Sequence, residues 1–295
     1  MGRPHIIAAC GHEAGYGTAL RHLTGPDTTV VTSGRELYRA LAARPLQEDV
    51  AVVPMTLGRD PELVADAART VRSLPPGPRR SVAVTEPFGS SGHLVGWLRA
   101  KALEVSAEVA LLLTAPSGDP YQDAELFRVA HLVRRNGRHR LVETSLVGGD
   151  PNLAEAVRRC RLLGAGQVVL LTATFLPPPV PSAPAGVSVL DAGPLLSPAA
   201  LGAVLSARAA KAVQRLRDSG ENGLAAALTA AEEHGLSHSH GPGGNHHHHH
   251  HHGSGGEHSH HHGPPQEQTP LTEVQHNHSS PHAPSFAATG VRSSP

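Results

Sequence analysis

The residues of this chain that are best suited to chemistry are its histidines, which concentrate near the carboxyl terminus. The chain has 23 histidines, and 17 of them fall between His234 and His282. Neutral imidazole binds Ni²⁺, Co²⁺, Zn²⁺ and Cu²⁺, and a flexible segment of imidazoles holds several such ions without folding around one. The segment therefore predicts that the protein handles a transition metal. The candidate ligands in it are His238, His240, His246, His247, His248, His249, His250, His251, His252, His258, His260, His261 and His262.

Two other interpretations of this segment stand beside metal binding. The run His246–His252 has the form of an expression tag, and low-complexity segments are often only solvated. The run is embedded among other histidine contexts, SHSHG, GEHSHHHG and QHNHSSPH, and the chain continues well beyond it to Pro295. This placement favours metal buffering or donation.

Composition narrows the class of protein. A length of 295 residues indicates about two domains. The formal net charge is zero, so attraction to nucleic acid or to an anionic membrane has little basis. There is no apolar stretch of the length that a membrane-spanning helix needs and no secretory signal, so we expect a cytoplasmic protein. Cys10 and Cys160 belong to no C-x-x-C pair and are expected to be two buried thiols.

Strands alternate with helices along the first 217 residues, which predicts an α/β fold with parallel sheets. The predicted strands are 5–10, 28–32, 49–55, 81–85, 108–114, 141–146 and 167–173. The predicted helices are 35–43, 61–73, 93–103, 121–135, 152–163 and 198–217.

The pattern restarts after about one hundred residues, which predicts two similar lobes. We assign residues 5–105 to the first lobe and 106–218 to the second, followed by a disordered histidine-rich tail over 219–295. Open parallel sheets bind ligands at the carboxyl ends of their strands, so two such lobes are expected to form a cleft there. His12 follows the first strand in GHEAGYG, at that edge, and is the leading candidate for a catalytic or metal-binding residue.

The part of the chain before the histidine-rich tail is called the body below. With His12 at the exit of its first strand, the body resembles the class II chelatases, specifically the CbiX/SirB group of sirohydrochlorin cobalt- and ferrochelatases. The similarity covers about residues 5–217. It is strongest in PSGDPYQDAELFRVAHLVRR and LVETSLVGGDPNLAEAVRRCRLLGAGQVVLLTATFLP of the second half, and the first half carries it in VVPMTLGRDPELVADAARTV and SGHLVGWLRAKALE. The resemblance implies two chelatase-like lobes that enclose a tetrapyrrole, with His12 as metal ligand or proton acceptor and Glu13 in support.

The chain departs from the family pattern at two places. His12 is followed by Glu13 and Ala14, where the family has Gly-Ser after its histidine. The turn that carries a second family histidine is Gly58-Arg59-Asp60 here, so the resemblance implies that Asp60 or Glu62 replaces that imidazole as a metal ligand.

Three further residues are candidates for substrate binding. Arg59 is suited to pair with the acidic side chains of a tetrapyrrole. His93 starts a predicted helix, where a capping role and a substrate contact are both open. Glu143 lies where family members place a strand carboxylate, although a strand glutamate also simply faces solvent.

The resemblance implies a lyase of cobalamin or related biosynthesis that inserts a divalent metal into sirohydrochlorin or a related tetrapyrrole. Cobalt is the expected metal, with nickel or iron as alternatives. No phosphate-binding glycine motif is present, so nucleotide chemistry is not expected. The resemblance implies neither ATP nor a redox cofactor. The alternative is a non-catalytic nickel or cobalt metallochaperone, or a metal store, on a chelatase fold.

Overall fold

Strands and helices alternate along the chain and build two parallel four-stranded sheets. The structure is a computed structural model, and it describes residues 3–18, 20–21, 27–45, 47–79, 81–176 and 186–236. The predicted α/β class with two similar lobes is confirmed. Within the described residues, no helix combines the length and the apolar character that crossing a membrane requires.

The first lobe contains a sheet with the strand order β2-β1-β3-β4. Its strands are β1 (His5–Cys10), β2 (Thr28–Thr32), β3 (Val50–Met55) and β4 (Val82–Val84). The helices in this half of the sequence are α1 (Arg35–Ala42), α2 (Pro61–Arg72), α3 (Pro76–Arg79) and α4 (Ser91–Leu103).

The second lobe repeats this arrangement with the strand order β6-β5-β7-β8. Its strands are β5 (Ala110–Pro116), β6 (Val142–Val147), β7 (Gln167–Thr172) and β8 (Ser188–Asp191). The helices are α5 (Pro120–Arg135), α6 (Leu153–Leu162), α7 (Pro198–Ser219) and α8 (Leu224–Leu236). The edge strand β8 and the helix α8 were not predicted.

Both faces of each sheet are covered, which is why the central strands read as continuous apolar runs. In β1, Ile6 and Ala8 face the large core that spans both lobes, and Ile7 and Ala9 face a separate core under α1, α2 and α8. In the second lobe, Leu112 belongs to a third core with α6. The carboxyl ends of β1 and β3 and those of β5 and β7 meet between the lobes.

Two helices pack on the lobe to which they do not belong in sequence. Helix α4 follows the first sheet but packs against α5 and β7 of the second lobe, and its Leu94 and Leu98 are fully buried in the shared core. Helix α7 follows the second sheet but packs against β1, β3 and β4 of the first lobe through residues such as Leu205. The lobes are therefore joined by a reciprocal exchange of helices.

The predicted boundaries need correction in two places. The exchange of α4 and α7 makes 5–105 and 106–218 two lobes of one compact unit rather than separable domains. The start of the tail at residue 219 is wrong, because α8 lies beyond it. Leu224, Ala227 and Leu228, at helical spacing, bury one face of α8 in the core formed with α2.

Both cysteines are buried free thiols, as predicted. Burial raises the pKa of Cys10 to about 12 and that of Cys160 to about 11. Because the thiolate is the reactive form, we expect neither thiol to react with an aromatic disulfide at pH 8 in the folded protein, and both to react in denaturant. Spectroscopic thiol counting tests this, and rapid labelling of the native protein would contradict the burial of these side chains.

Candidate functional site

The segment after β1 connects the two lobes at their carboxyl edges. Gly11, the first residue of the segment, has an extended backbone, and a short 3-10 segment follows over His12–Gly17. The backbone oxygen of Glu13 accepts hydrogen bonds from the Phe175 N–H at 3.2 Å and from the Thr174 hydroxyl at 2.5 Å, both beyond the end of β7. His12 is thereby held at the junction of the lobes, at the sheet edge that the sequence predicted.

His12 and Asp60 form a hydrogen-bonded pair there. His12 Nδ1 lies 3.1 Å from Asp60 Oδ2, and the two side chains are 15% and 11% exposed. The other carboxylate oxygen of Asp60 accepts from the Leu63 N–H at 3.0 Å and caps α2. A carboxylate that accepts from Nδ1–H selects the tautomer with its lone pair on Nε2. Nε2 is buried and has no hydrogen-bond partner among the described residues, so this lone pair is available.

Two glycines let the backbone come this close. A Cβ atom on Gly11 would lie 2.6 Å from Asp60 Oδ2. Gly58 has a φ of 99°, and a Cβ atom there would lie 2.3 Å from the Ser91 nitrogen. A side chain at Gly11 would displace the Asp60 carboxylate, and one at Gly58 would displace the turn that carries Asp60, so both glycines serve the geometry of this pair.

Glu13 is a positioning residue rather than a group that faces a ligand. Its side chain is fully buried and accepts hydrogen bonds from the Thr56 hydroxyl and from the Leu57 N–H at 3.0 Å. The Thr56 oxygen in turn accepts from the N–H groups of Gly58 at 3.0 Å and Asp60 at 3.1 Å. Glu13 and Thr56 therefore fix the turn that presents Asp60 to His12. Thr56 was not among the predicted site residues, although its position directly after β3 was an available signal.

Arg59 joins the two lobes and does not extend into an open cleft. Its side chain is 0% exposed. Its Nε donates to the Gln122 carbonyl at 3.0 Å, and Nη2 donates to the Pro116 carbonyl at 3.1 Å and lies 3.5 Å from Asp123 Oδ1. These donors satisfy carbonyl groups at the end of β5 and in the first turn of α5, whereas Arg59 Nη1 has no hydrogen-bond partner among the described residues. The role of Arg59 in substrate binding stays a prediction.

No protein-family model matches the chain, and no curated protein matches it. The chain is similar to a multi-domain protein from Deinococcus radiodurans, whose structure is described as having structural similarity to chelatases and two additional novel domains. The identity is 22% and the TM-score is 0.42 over 71% of this chain. The match spans only 55% of the length of that protein.

Two predicted site residues lie away from His12. Glu62 was expected to be a ligand, but its side chain is 64% exposed and paired with Arg69 at 3.3 Å, because it lies in the outer first turn of α2. Glu143 is the second residue of β6, so it lies toward the amino end of the strand and not at the carboxyl edge. It also faces the α6 side, where its charge contributes to the raised pKa of Cys160.

His93 has the capping role that the sequence left open. Its Nδ1 accepts from the Ser90 N–H at 3.2 Å and lies 2.7 Å from the Ser90 hydroxyl. Its ring lies 5.7 Å from that of Trp97, beside a surface pocket of ≈ 290 Å³. The tail histidines lie outside the described residues. Within the described part of the chain, no group of three or more His, Cys, Asp or Glu side chains is arranged to hold a metal ion.

Burial gives Glu13 a measurable effect on stability. Burial raises its pKa above the ordinary value of 4.5, and the nearby Arg59 guanidinium opposes that shift. As the pH rises, the Glu13 carboxyl group loses its proton at a lower pH in the unfolded chain than in the folded protein. The contribution of Glu13 to stability therefore declines from about pH 4.5 up to its raised pKa in the folded state. Glu13→Gln cannot ionise. Its unfolding free energy, relative to the parent, should therefore increase over this interval.

Glu155 provides a control of opposite sign. Arg158 and Arg159 lower its pKa to about 2. The ionised Glu155 side chain stabilises the fold at pH values above its pKa in the unfolded chain, and this contribution is lost as the pH falls toward 2. Glu155→Gln should therefore lose stability relative to the parent as the pH rises through this range. Urea unfolding across pH 3 to 8 measures both. A Glu13→Gln difference that is independent of pH would contradict the assigned burial of this carboxyl group.

Proposed function

We propose that the protein is a chelatase that inserts a divalent transition metal, with Co²⁺ as the expected ion, into sirohydrochlorin or a related tetrapyrrole. The observation that carries the proposal is the buried Nε2 of His12, which has no hydrogen-bond partner among the described residues and is oriented by Asp60 at the junction of two similar lobes. The histidine-rich tail and the resemblance of the body sequence to the sirohydrochlorin chelatases support the same chemistry.

The proposed chemistry needs one oriented imidazole. Insertion of M²⁺ forms bonds from the metal to the macrocycle nitrogens and releases two pyrrole protons. His12 Nε2 either holds the incoming ion or accepts one of these protons, and Asp60 stabilises the imidazolium that results from protonation. A single imidazole leaves the other coordination positions of the ion to water and to the macrocycle, as transfer requires.

The test is metallation of sirohydrochlorin by Co²⁺ in excess free metal, followed by absorbance, with Fe²⁺ and Ni²⁺ in parallel. We expect the protein to accelerate the reaction above the spontaneous rate. A chain shortened to residue 236 should accelerate it equally, because excess metal makes a donor segment unnecessary. Equal rates with and without protein for all three metals would refute the proposal.

The metallochaperone remains the second candidate, and one observation favours it. Asp60 occupies the turn position that carries a second histidine in the sirohydrochlorin chelatases, and its two carboxylate oxygens are committed to His12 and to the Leu63 N–H at the start of α2. A chaperone would bind Co²⁺ or Ni²⁺ stoichiometrically and release it to an acceptor without accelerating insertion. Equilibrium dialysis beside the metallation assay distinguishes the two functions.

A further inference from the structure

The pocket of ≈ 290 Å³ beside His93 lies between the two exchanged helices. Phe88, which follows β4, and Trp97 of α4 give it an aromatic wall, with their ring centroids 5.9 Å apart. Val204 and Ala207 add apolar surface from α7. Because α4 packs on the second lobe and α7 on the first, the pocket is a product of the helix exchange.

The polar side of the pocket carries excess positive charge. Arg208 and Lys211 of α7 line it. Both bind the Glu86 carboxylate, Arg208 through Nη1 and Lys211 through Nζ at 2.6 Å. The hydrogen bond from Lys211 and the charge of Arg208 hold the pKa of Glu86 below its usual range, so Glu86 is ionised at neutral pH. One carboxylate between two cations leaves a net positive charge, which attracts an anion.

His93 brings a hydrogen-bond donor to the same pocket. Its Nδ1 accepts from the Ser90 N–H at 3.2 Å, which leaves the ring hydrogen on Nε2. Its ring also extends the aromatic wall, since it lies 5.7 Å from the Trp97 ring at an angle of 32°. Aromatic surface beside donors and positive charge is complementary to a planar apolar ring that carries a carboxylate.

The pocket is separate from the cavity beside the candidate metal site. Segment 86–91 runs between the two, and its Phe88 N–H donates to the Pro54 carbonyl at 2.9 Å. Gly89 of this segment lines a different cavity of ≈ 170 Å³ together with Asp60. A volume of ≈ 290 Å³ is at the lower limit for small-molecule sites, so it suits one ring or two fused rings rather than a four-pyrrole macrocycle.

We propose that this pocket is a second ligand site, which binds a free, planar aromatic monocarboxylate. The ring of the ligand packs against Trp97, and its carboxylate accepts hydrogen bonds from Lys211 and from His93 Nε2. The site does not depend on the metal chemistry proposed for His12, so it stands or falls by its own test.

The test uses Trp97, the only tryptophan of the chain, whose single indole N–H NMR signal reports on this pocket. Naphthalene-2-carboxylate, titrated into the isotopically labelled full-length protein, should shift this signal to saturation. The uncharged analogue naphthalene-2-methanol should bind about tenfold more weakly, because it presents the same rings without the charge. No shift at millimolar carboxylate, or equal affinity for the two compounds, would overturn the proposal.

A lysine substitution tests the role of charge. Lys211→Met should weaken binding of the carboxylate about fivefold and leave binding of the alcohol unchanged, because it removes the excess charge from a partly exposed cluster. Lys101→Met is the matched control. Lys101 is the only other lysine of the chain, and it pairs with Glu104 at 2.8 Å outside the pocket. Equal affinities of the two variants for the carboxylate would contradict the assigned charge recognition.

A second pair of variants tests the location. Ala207→Phe fills the pocket from the exposed side of α7 and should abolish binding, whereas Ala203→Phe, one turn earlier and also exposed, should not. Thermal unfolding checks that both variants fold. Binding that survives Ala207→Phe would place the ligand elsewhere. One equivalent of sirohydrochlorin should leave the carboxylate bound, and its displacement would assign the pocket to the macrocycle and overturn a separate site.

Discussion

Replacing His12 with alanine is expected to lower the rate of Co²⁺ insertion into sirohydrochlorin by about a hundredfold or more. The loss follows from the structure. His12 Nε2 is buried and carries a lone pair, and the hydrogen bond between His12 Nδ1 and Asp60 Oδ2 at 3.1 Å sets the orientation of the ring. Metal bound by the histidine-rich segment should be unchanged, since that segment lies beyond residue 236. Stopped-flow absorbance for the rate and equilibrium dialysis for bound Co²⁺ measure the two effects separately.

Two companion variants show whether orientation or mere presence of the imidazole matters. Asp60→Asn keeps an oxygen that can accept from the Leu63 N–H at the start of α2, but it removes the carboxylate that selects the His12 tautomer, so the rate should fall while the fold persists. Glu62→Gln is the matched control, because its exposed carboxylate pairs only with Arg69 among the contacts described here. An unchanged rate in His12→Ala would remove this residue from the site.

Replacing Arg59 with methionine is expected to lower the free energy of unfolding by about 3 kcal/mol, since two partly buried carbonyl groups lose the hydrogen bonds that Arg59 donates, at about 1–3 kcal/mol each. Methionine roughly fills the space of the Arg59 stem but cannot donate to Gln122 O or Pro116 O. The buried Glu13 also loses the neighbouring charge that favours its ionised form. Urea denaturation at pH 7 measures the change.

Arg69→Met is the matched control for this prediction. Arg69 is about half exposed and pairs with Glu62 and Asp66 on the surface of α2, so its loss should cost less than about 1 kcal/mol. Equal and small effects of the two substitutions would show that Arg59 does not join the lobes as described.

The sequence was sufficient to predict the elements whose patterns are local. β1 and β2 have their predicted bounds, because their apolar runs end at glycine or polar residues. β8 was missed because Ser188–Asp191 is a short edge strand that is largely exposed, so it carries no apolar run. α8 was missed because its alanine-rich sequence borders the histidine-rich segment, and only packing on α2 gives its apolar face a partner.

Two residues of the candidate site could be predicted because their roles follow from their positions in the chain. His12 and Asp60 lie at a strand exit and in a strand–helix turn, and both features appear in the sequence. The directions in which the neighbouring side chains point do not appear in the sequence. Glu13 turns inward to Thr56, Glu62 turns outward to Arg69, and Arg59 crosses to the second lobe. These outcomes depend on contacts between residues that are distant in sequence, which local patterns do not specify.

The exchange of α4 and α7 also sets the order in which the protein becomes complete during synthesis. All four strands of the first sheet have been made by Val84, but the helix that covers the face bearing Ile6, Ala8 and Val53 begins only at Pro198. The nascent chain must therefore carry an uncovered apolar sheet face until nearly the whole body has left the ribosome. Such faces bind chaperones and promote aggregation, so the body is expected to acquire its stability late and in one cooperative step.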